Sequence, residues 1–174
     1  MMQKNQMNIL RKNIKLLITL FILTIFLLYP NLTYSAGSSS NDSGNNEPEN
    51  LYKSGKRLIS RAKKLEKKNK VEKAKKLYLK AYDKFEKAYI KDKKNADILN
   101  YLGYSLRKTG NFEKAETYYL KGLELDANHV GINEYLGELY IQTGRIELAK
   151  ERLQVLSGCK CEEYDELKEL IEKN

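Results

Sequence analysis

Proline is scarce in this chain and stops early. Only Pro30 and Pro48 occur, so everything after Pro48 lacks the residue that most often interrupts a helix. No stretch after Asn50 alternates apolar with polar residues, which excludes half-buried strands as the building blocks there. Histidine occurs once, at His129, and cysteine twice, at Cys159 and Cys161. A metal centre built on the two thiols would need two further ligands in reach, and one histidine about 30 positions away does not supply them. There is no G-x-S-x-G, no H-E-x-x-H and no phosphate-binding glycine loop. Nucleophile, base and orienter do not assemble from the residues present. The chain is therefore expected to be non-catalytic and to need no cofactor and no metal.

Charge is plentiful and unevenly placed. The net charge is +9, but residues 1–50 contribute +1, residues 51–94 contribute +13 and residues 95–174 contribute −5. A basic first third thus precedes an acidic remainder. Helical surfaces accept lysine readily, so a solvated face accounts for much of the excess. The alternative is a surface that attracts anions, such as lipid headgroups or acidic proteins.

The single long apolar run is Leu16 to Tyr29, preceded by Lys4, Arg11, Lys12 and Lys15. About 14 apolar residues behind a basic region match a secretory signal core, whereas a spanning helix wants roughly 20. Residues 1–35 are expected to be a signal peptide or, uncleaved, an inner-membrane anchor. Cleavage is expected after Ser35 or Ala36. An exported, periplasmic protein follows, with no nucleic-acid partner. Residues 36–50 are rich in Ser, Asn and Gly and read as a flexible linker.

From residue 51 on, apolar residues recur at threes and fours, the period of helices with one buried face. The spacing predicts helices over Glu49–Lys68, Val71–Lys91, Asp97–Thr109, Phe112–Asp126, Val130–Thr143, Ile146–Leu156 and Glu162–Lys173. Turns fall at Asn69-Lys70, Gly110-Asn111 and Gly144-Arg145. Two stretches repeat each other. Leu99, Leu102, Gly103, Leu106, Gly110, Phe112, Ala115 and Tyr119 are matched about 34 residues later by Asn133, Leu136, Gly137, Tyr140, Gly144, Ile146, Ala149 and Leu153.

That period and those residue types resemble the tetratricopeptide repeat (TPR) family. Two departures are plain: the first core aromatic is replaced by Leu99 and Asn133, and the closing proline by Ala127. The run D-A-N-H-V-G-I-N-E-Y-L-G-E-L-Y, with C-E-E-Y-D-E-L-K, also resembles short exported alphaproteobacterial TPR proteins without an assigned chemistry. The expected fold is all-α: TPR-like helical hairpins at 51–95, 96–129 and 130–158, then a Cys-x-Cys turn and capping helix at 159–174. The first hairpin fits the repeat only with about seven extra residues, which would lengthen its second helix by two turns. It also lacks the Leu-Gly pair.

The resemblance implies binding in a concave groove lined by the first helix of each pair. Carried over by position, that face comprises Lys56, Ile59, Lys63, Asp97, Asn100, Tyr101, Tyr104, Lys108, Gly131, Glu134, Tyr135 and Glu138. Glu134 and Glu138 oppose a full carboxylate clamp, and tyrosine with mixed charge suits an extended peptide. For Cys159 and Cys161 three readings stay open: an intrachain disulfide pinning the turn before the cap, two thiols or an intermolecular bond, and a redox or metal role. The expected function is an exported protein-binding adaptor or assembly factor. Its rival is a self-associating or membrane-anchored spacer, with the basic 51–94 region on an anionic membrane surface or forming a homo-oligomer.

Overall fold

The computed structural model describes residues 47–174. The expected signal segment and residues 36–46 of the linker lie outside the described residues. Those described form seven α-helices and no strand: α1 (Glu47–Glu66), α2 (Val71–Lys91), α3 (Ala96–Arg107), α4 (Phe112–Leu125), α5 (Val130–Gln142), α6 (Ile146–Leu156) and α7 (Glu162–Glu172). Successive helices pair as hairpins, α1 with α2, α3 with α4 and α5 with α6, and α7 packs on α5 and α6. None of them is long and apolar enough to cross a membrane.

Helix α1 starts at Glu47, two residues before the expected Glu49, and takes the last four residues from the expected linker. Pro48 lies in the first turn, where a missing N–H removes no helical bond. Glu47 and Glu49 meet the positive end of the helix dipole there.

The three hairpin turns share one geometry. Asn69, Gly110 and Gly144 all adopt positive φ, and the next residue's N–H reaches back into the preceding helix: Lys70 to the Leu65 carbonyl, Asn111 to Leu106 and Arg145 to Tyr140. This closes the helix ends left open by the α pattern. Asn69 tolerates the left-handed region because its short amide side chain costs least there after glycine.

Close helix crossings set the spacing inside the array. A Cβ on Gly55 would lie 2.5 Å from the Phe85 ring, one on Gly103 2.5 Å from Tyr119, and one on Gly137 2.6 Å from Leu167. Gly55 thus performs in the first hairpin what Gly103 does in the second, despite the missing Leu-Gly pair. Gly55 precedes Asn69 by 14 residues where Gly103 precedes Gly110 by 7, and Phe85 follows Asn69 by 16 where Tyr119 follows Gly110 by 9. The extra two turns therefore belong to both arms, not to α2 alone. Two turns on each arm keep the packing face in phase.

Leu167 of α7 fills the slot beside Gly137 and is fully buried, so the last helix closes the open flank of the third hairpin. Cys159 and Cys161 are joined by a disulfide in the turn before it, and Cys161 is the residue preceding α7.

Gly103→Ala is expected to cost about 1–3 kcal/mol, because the buried Tyr119 ring has nowhere to move. Gly158→Ala, with no atom within 4 Å of the added Cβ, should leave the melting temperature unchanged. Equal melts for the two variants would remove the glycine–ring contact as the spacer.

Candidate functional site

A groove of about 390 Å³ lies between α1 and the first helices of the later hairpins. Its wall is one stripe of α1, Lys56, Ile59, Ser60, Lys63 and Lys64, continued by Lys67 just past the helix end, and its floor is Tyr101 and Tyr104 of α3 with Tyr135 of α5. The stripe follows from helical spacing: these residues recur at threes and fours on one face. The tyrosines hold the floor through ring contacts that run across the array. Tyr78 meets Tyr104 edge-on at 5.9 Å, and Tyr104 meets Tyr135 at 4.7 Å. Tyr101 stacks on Phe85 at 5.1 Å. Burial pushes the Tyr101, Tyr104 and Tyr135 phenols upward, so the floor is uncharged at neutral pH.

Cations sit on these rings. Lys56 Nζ lies 5.4 Å from the Tyr52 centroid and 5.7 Å from that of Tyr101, and Lys63 Nζ lies 5.2 Å from Tyr104. The ring faces attract the ammonium groups and hold them at the edge of the groove.

Six of the sequence-derived residues meet here: Lys56, Ile59, Lys63, Tyr101, Tyr104 and Tyr135. Of these, Ile59 and Tyr104 are almost fully buried and belong to the core. The others hold the hairpins together. Lys108 Nζ pairs with Glu66 at 2.9 Å. Asp97 receives a contact from His129 Nε2 at 3.3 Å, while His129 Nδ1 accepts the Ile132 N–H as the cap of α5; with Nδ1 accepting, the proton is on Nε2. Gly131 gives room to Asn100, whose Nδ2 would lie 2.8 Å from an added Cβ, and Asn100 is itself buried. Glu138 accepts from Arg107 at 2.7 Å.

Arg107 is a residue that repeat spacing alone does not single out. It is 4% exposed, reaches from α3 to Glu138 on α5, and lies over Tyr104 and Tyr135 at 5.4 and 5.6 Å. It therefore backs the groove floor. Ser60, Lys64 and Lys67 were readable in principle, since they continue the spacing of Lys56 and Lys63.

Glu134 is buried, and desolvation pushes its carboxyl up to about 9, helped by Glu166, Glu138 and Glu163. The α5–α7 end of the array thus gathers acids, opposite in sign to the α1 wall.

Residues 96–129 match the tetratricopeptide repeat family. No curated protein sequence matches the chain. Among solved structures the chain is similar to the Yersinia enterocolitica type III secretion chaperone SycD in complex with a peptide of the translocator YopD, at 21% identity, covering 76% of this chain and 92% of that one, with a TM-score of 0.50. An alternative dimer of the same chaperone gives 20% identity, 76% and 92% coverage and a TM-score of 0.50. PcrH from Pseudomonas aeruginosa gives 17% identity, 78% and 97% coverage and a TM-score of 0.53. At these identities the likeness is one of fold.

Removing one side of the Arg107–Glu138 pair strands the other. Because Arg107 is the more deeply buried partner, Glu138→Leu is expected to lose about 3–5 kcal/mol, more than Arg107→Met, and the double variant should recover part of that loss; a double-mutant cycle on chemical denaturation measures it.

Glu134 generates a pH dependence. Its folded carboxyl holds a proton up to about pH 9 that the unfolded chain releases near the ordinary value of 4.5, so its contribution to stability falls as pH rises between the two. Glu134→Gln should melt with the native protein near pH 4.5 and several degrees above it near pH 8. Parallel melting curves across that range would show that Glu134 is ionised in the fold.

Proposed function

From the premise that this chain is a tetratricopeptide-repeat protein, we propose that it is an exported, non-catalytic adaptor or assembly factor whose groove takes an extended segment of a partner protein. The observation that carries the reading is the groove itself: a concavity with an aromatic floor and a cationic wall that the side chains of the described residues leave open. Leu99, Leu102, Leu136 and Leu139 of α3 and α5 are buried in the array, whereas Tyr101 and Tyr135 are only half-buried. Aromatic side chains of that kind supply much contact area with few rotatable bonds. The fold is also the one in which the Yersinia chaperone was seen with a peptide of its translocator, which supports a peptide as the class of ligand. Export rests on the basic region and apolar run before residue 36.

The rival, a self-associating spacer, needs the apolar face of α2 to be open. Ala74, Tyr78, Ala81, Phe85 and Ala88 of that face are buried inside the chain. What is left to it is Val71, Leu79 and Ile90, exposed on α2.

Crosslinking in living cells followed by mass spectrometry tests both readings. Ser60 is exposed on the wall of the groove, so Ser60→Trp should fill the concavity without disturbing the fold. The expected result is a reproducible protein partner captured by the native chain and lost with Ser60→Trp, at an unchanged melting temperature. Capture of this protein alone, unaffected by Ser60→Trp and lost with Leu79→Glu and Ile90→Glu, would establish the spacer instead. The amino-terminal peptide in the same data reports cleavage after Ser35 or Ala36.

A further inference from the structure

We infer that the segment held by the groove is acidic, lying with its carboxylates along the α1 wall and its uncharged side chains on the tyrosine floor. This rests on the groove reading above and adds the chemistry of the ligand. Lys56, Lys63, Lys64 and Lys67 line the wall, and among the described residues none of the four has a carboxylate within ion-pair distance. Four carboxylates of the same hairpin are engaged elsewhere. Glu49 pairs with Lys53, Glu72 with Lys75 and Glu47 with Lys91, while Glu66 takes both Lys108 and the Tyr78 hydroxyl. The wall lysines therefore lie beside the groove and still have their charge to offer.

The floor is compatible with such a ligand and the far end sets its direction. Tyr101, Tyr104 and Tyr135 are neutral and do not repel carboxylates. Arg107, the cation behind the floor, is already neutralised by Glu138. Towards α7 the surface turns acidic through Glu163 and Glu166, which lie near the buried, protonated Glu134. Like charges across an interface are costly and opposite charges select register. An acidic segment is consequently drawn to the α1 end and turned away from the α7 end. A basic segment would meet the reverse and leave the tyrosine floor unoccupied.

The test uses the full chain and fluorescein-labelled peptides read by anisotropy: GSELPELESG and its counterparts with every Glu replaced by Gln or by Lys. At low salt the acidic peptide should bind about ten-fold more tightly than the Gln peptide, and the Lys peptide should not bind. The preference should shrink as salt is raised to about 0.5 M, as screening requires. The Lys56→Glu, Lys63→Glu double variant, both sites being exposed, should invert the preference towards the Lys peptide at an unchanged melting temperature. Equal binding of the Glu and Gln peptides, or a double variant that keeps the acidic preference, overturns the inference. The groove reading then stands if Ser60→Trp still abolishes that binding. No binding of any of the three up to about 1 mM also overturns the acidic assignment, and the groove is then judged by the capture in cells.

Discussion

The close crossing of helices at three glycines is the constraint on which the rest of this molecule depends. At Gly55, Gly103 and Gly137 a side chain from a neighbouring helix, Phe85, Tyr119 or Leu167, occupies the space a Cβ would need. A methyl group there would force the helices apart, since buried rings and branched side chains in a packed core yield little. With the helices that close, the small residues Ala62, Ala74, Ala115 and Ala149 are fully buried at the remaining contacts. The faces of α3 and α5 turned away from those contacts are then free to carry the tyrosines.

Polar contacts, three of them ion pairs, key one hairpin to the next. Lys108–Glu66 ties α3 to α1, Arg107–Glu138 and His129–Asp97 tie the third hairpin to the second, and Arg145 makes a two-point contact with Glu116 of α4. Apolar burial alone tolerates sliding of one hairpin against another. A directed hydrogen-bonded pair such as Arg145–Glu116 is satisfied in one register only. The array thus uses burial for cohesion and ion pairs for alignment, and the groove inherits its shape from both.

The repeat pattern, the three turns and the order of the seven helices were legible because they are local. Period, glycine position and helix length are encoded within a few residues of where they act. The candidate site was legible in part. Lys56, Lys63, Tyr101, Tyr104 and Tyr135 share a groove because each stands at a repeat position that faces it. Asp97, Asn100, Lys108, Glu134 and Glu138 stand at comparable positions yet serve contacts between hairpins. Their partners, His129, Gly131, Glu66, Glu166 and Arg107, are about 30 or more positions away in each case, too far for periodicity to pair them.

By itself the sequence determined an all-helical repeat array with a capping helix, and it placed a basic first hairpin against an acidic remainder. Those properties follow from composition and spacing, which every conformation of the chain shares. Only the tertiary structure decided that both arms of the first hairpin are long, that Leu167 completes the slot beside Gly137, and that Arg107 backs the groove floor. It also decided which charges remain available to a ligand. Whether a lysine is paired or free depends on which carboxylate the packed helices bring within about 4 Å of it, and that distance exists only once the helices have met.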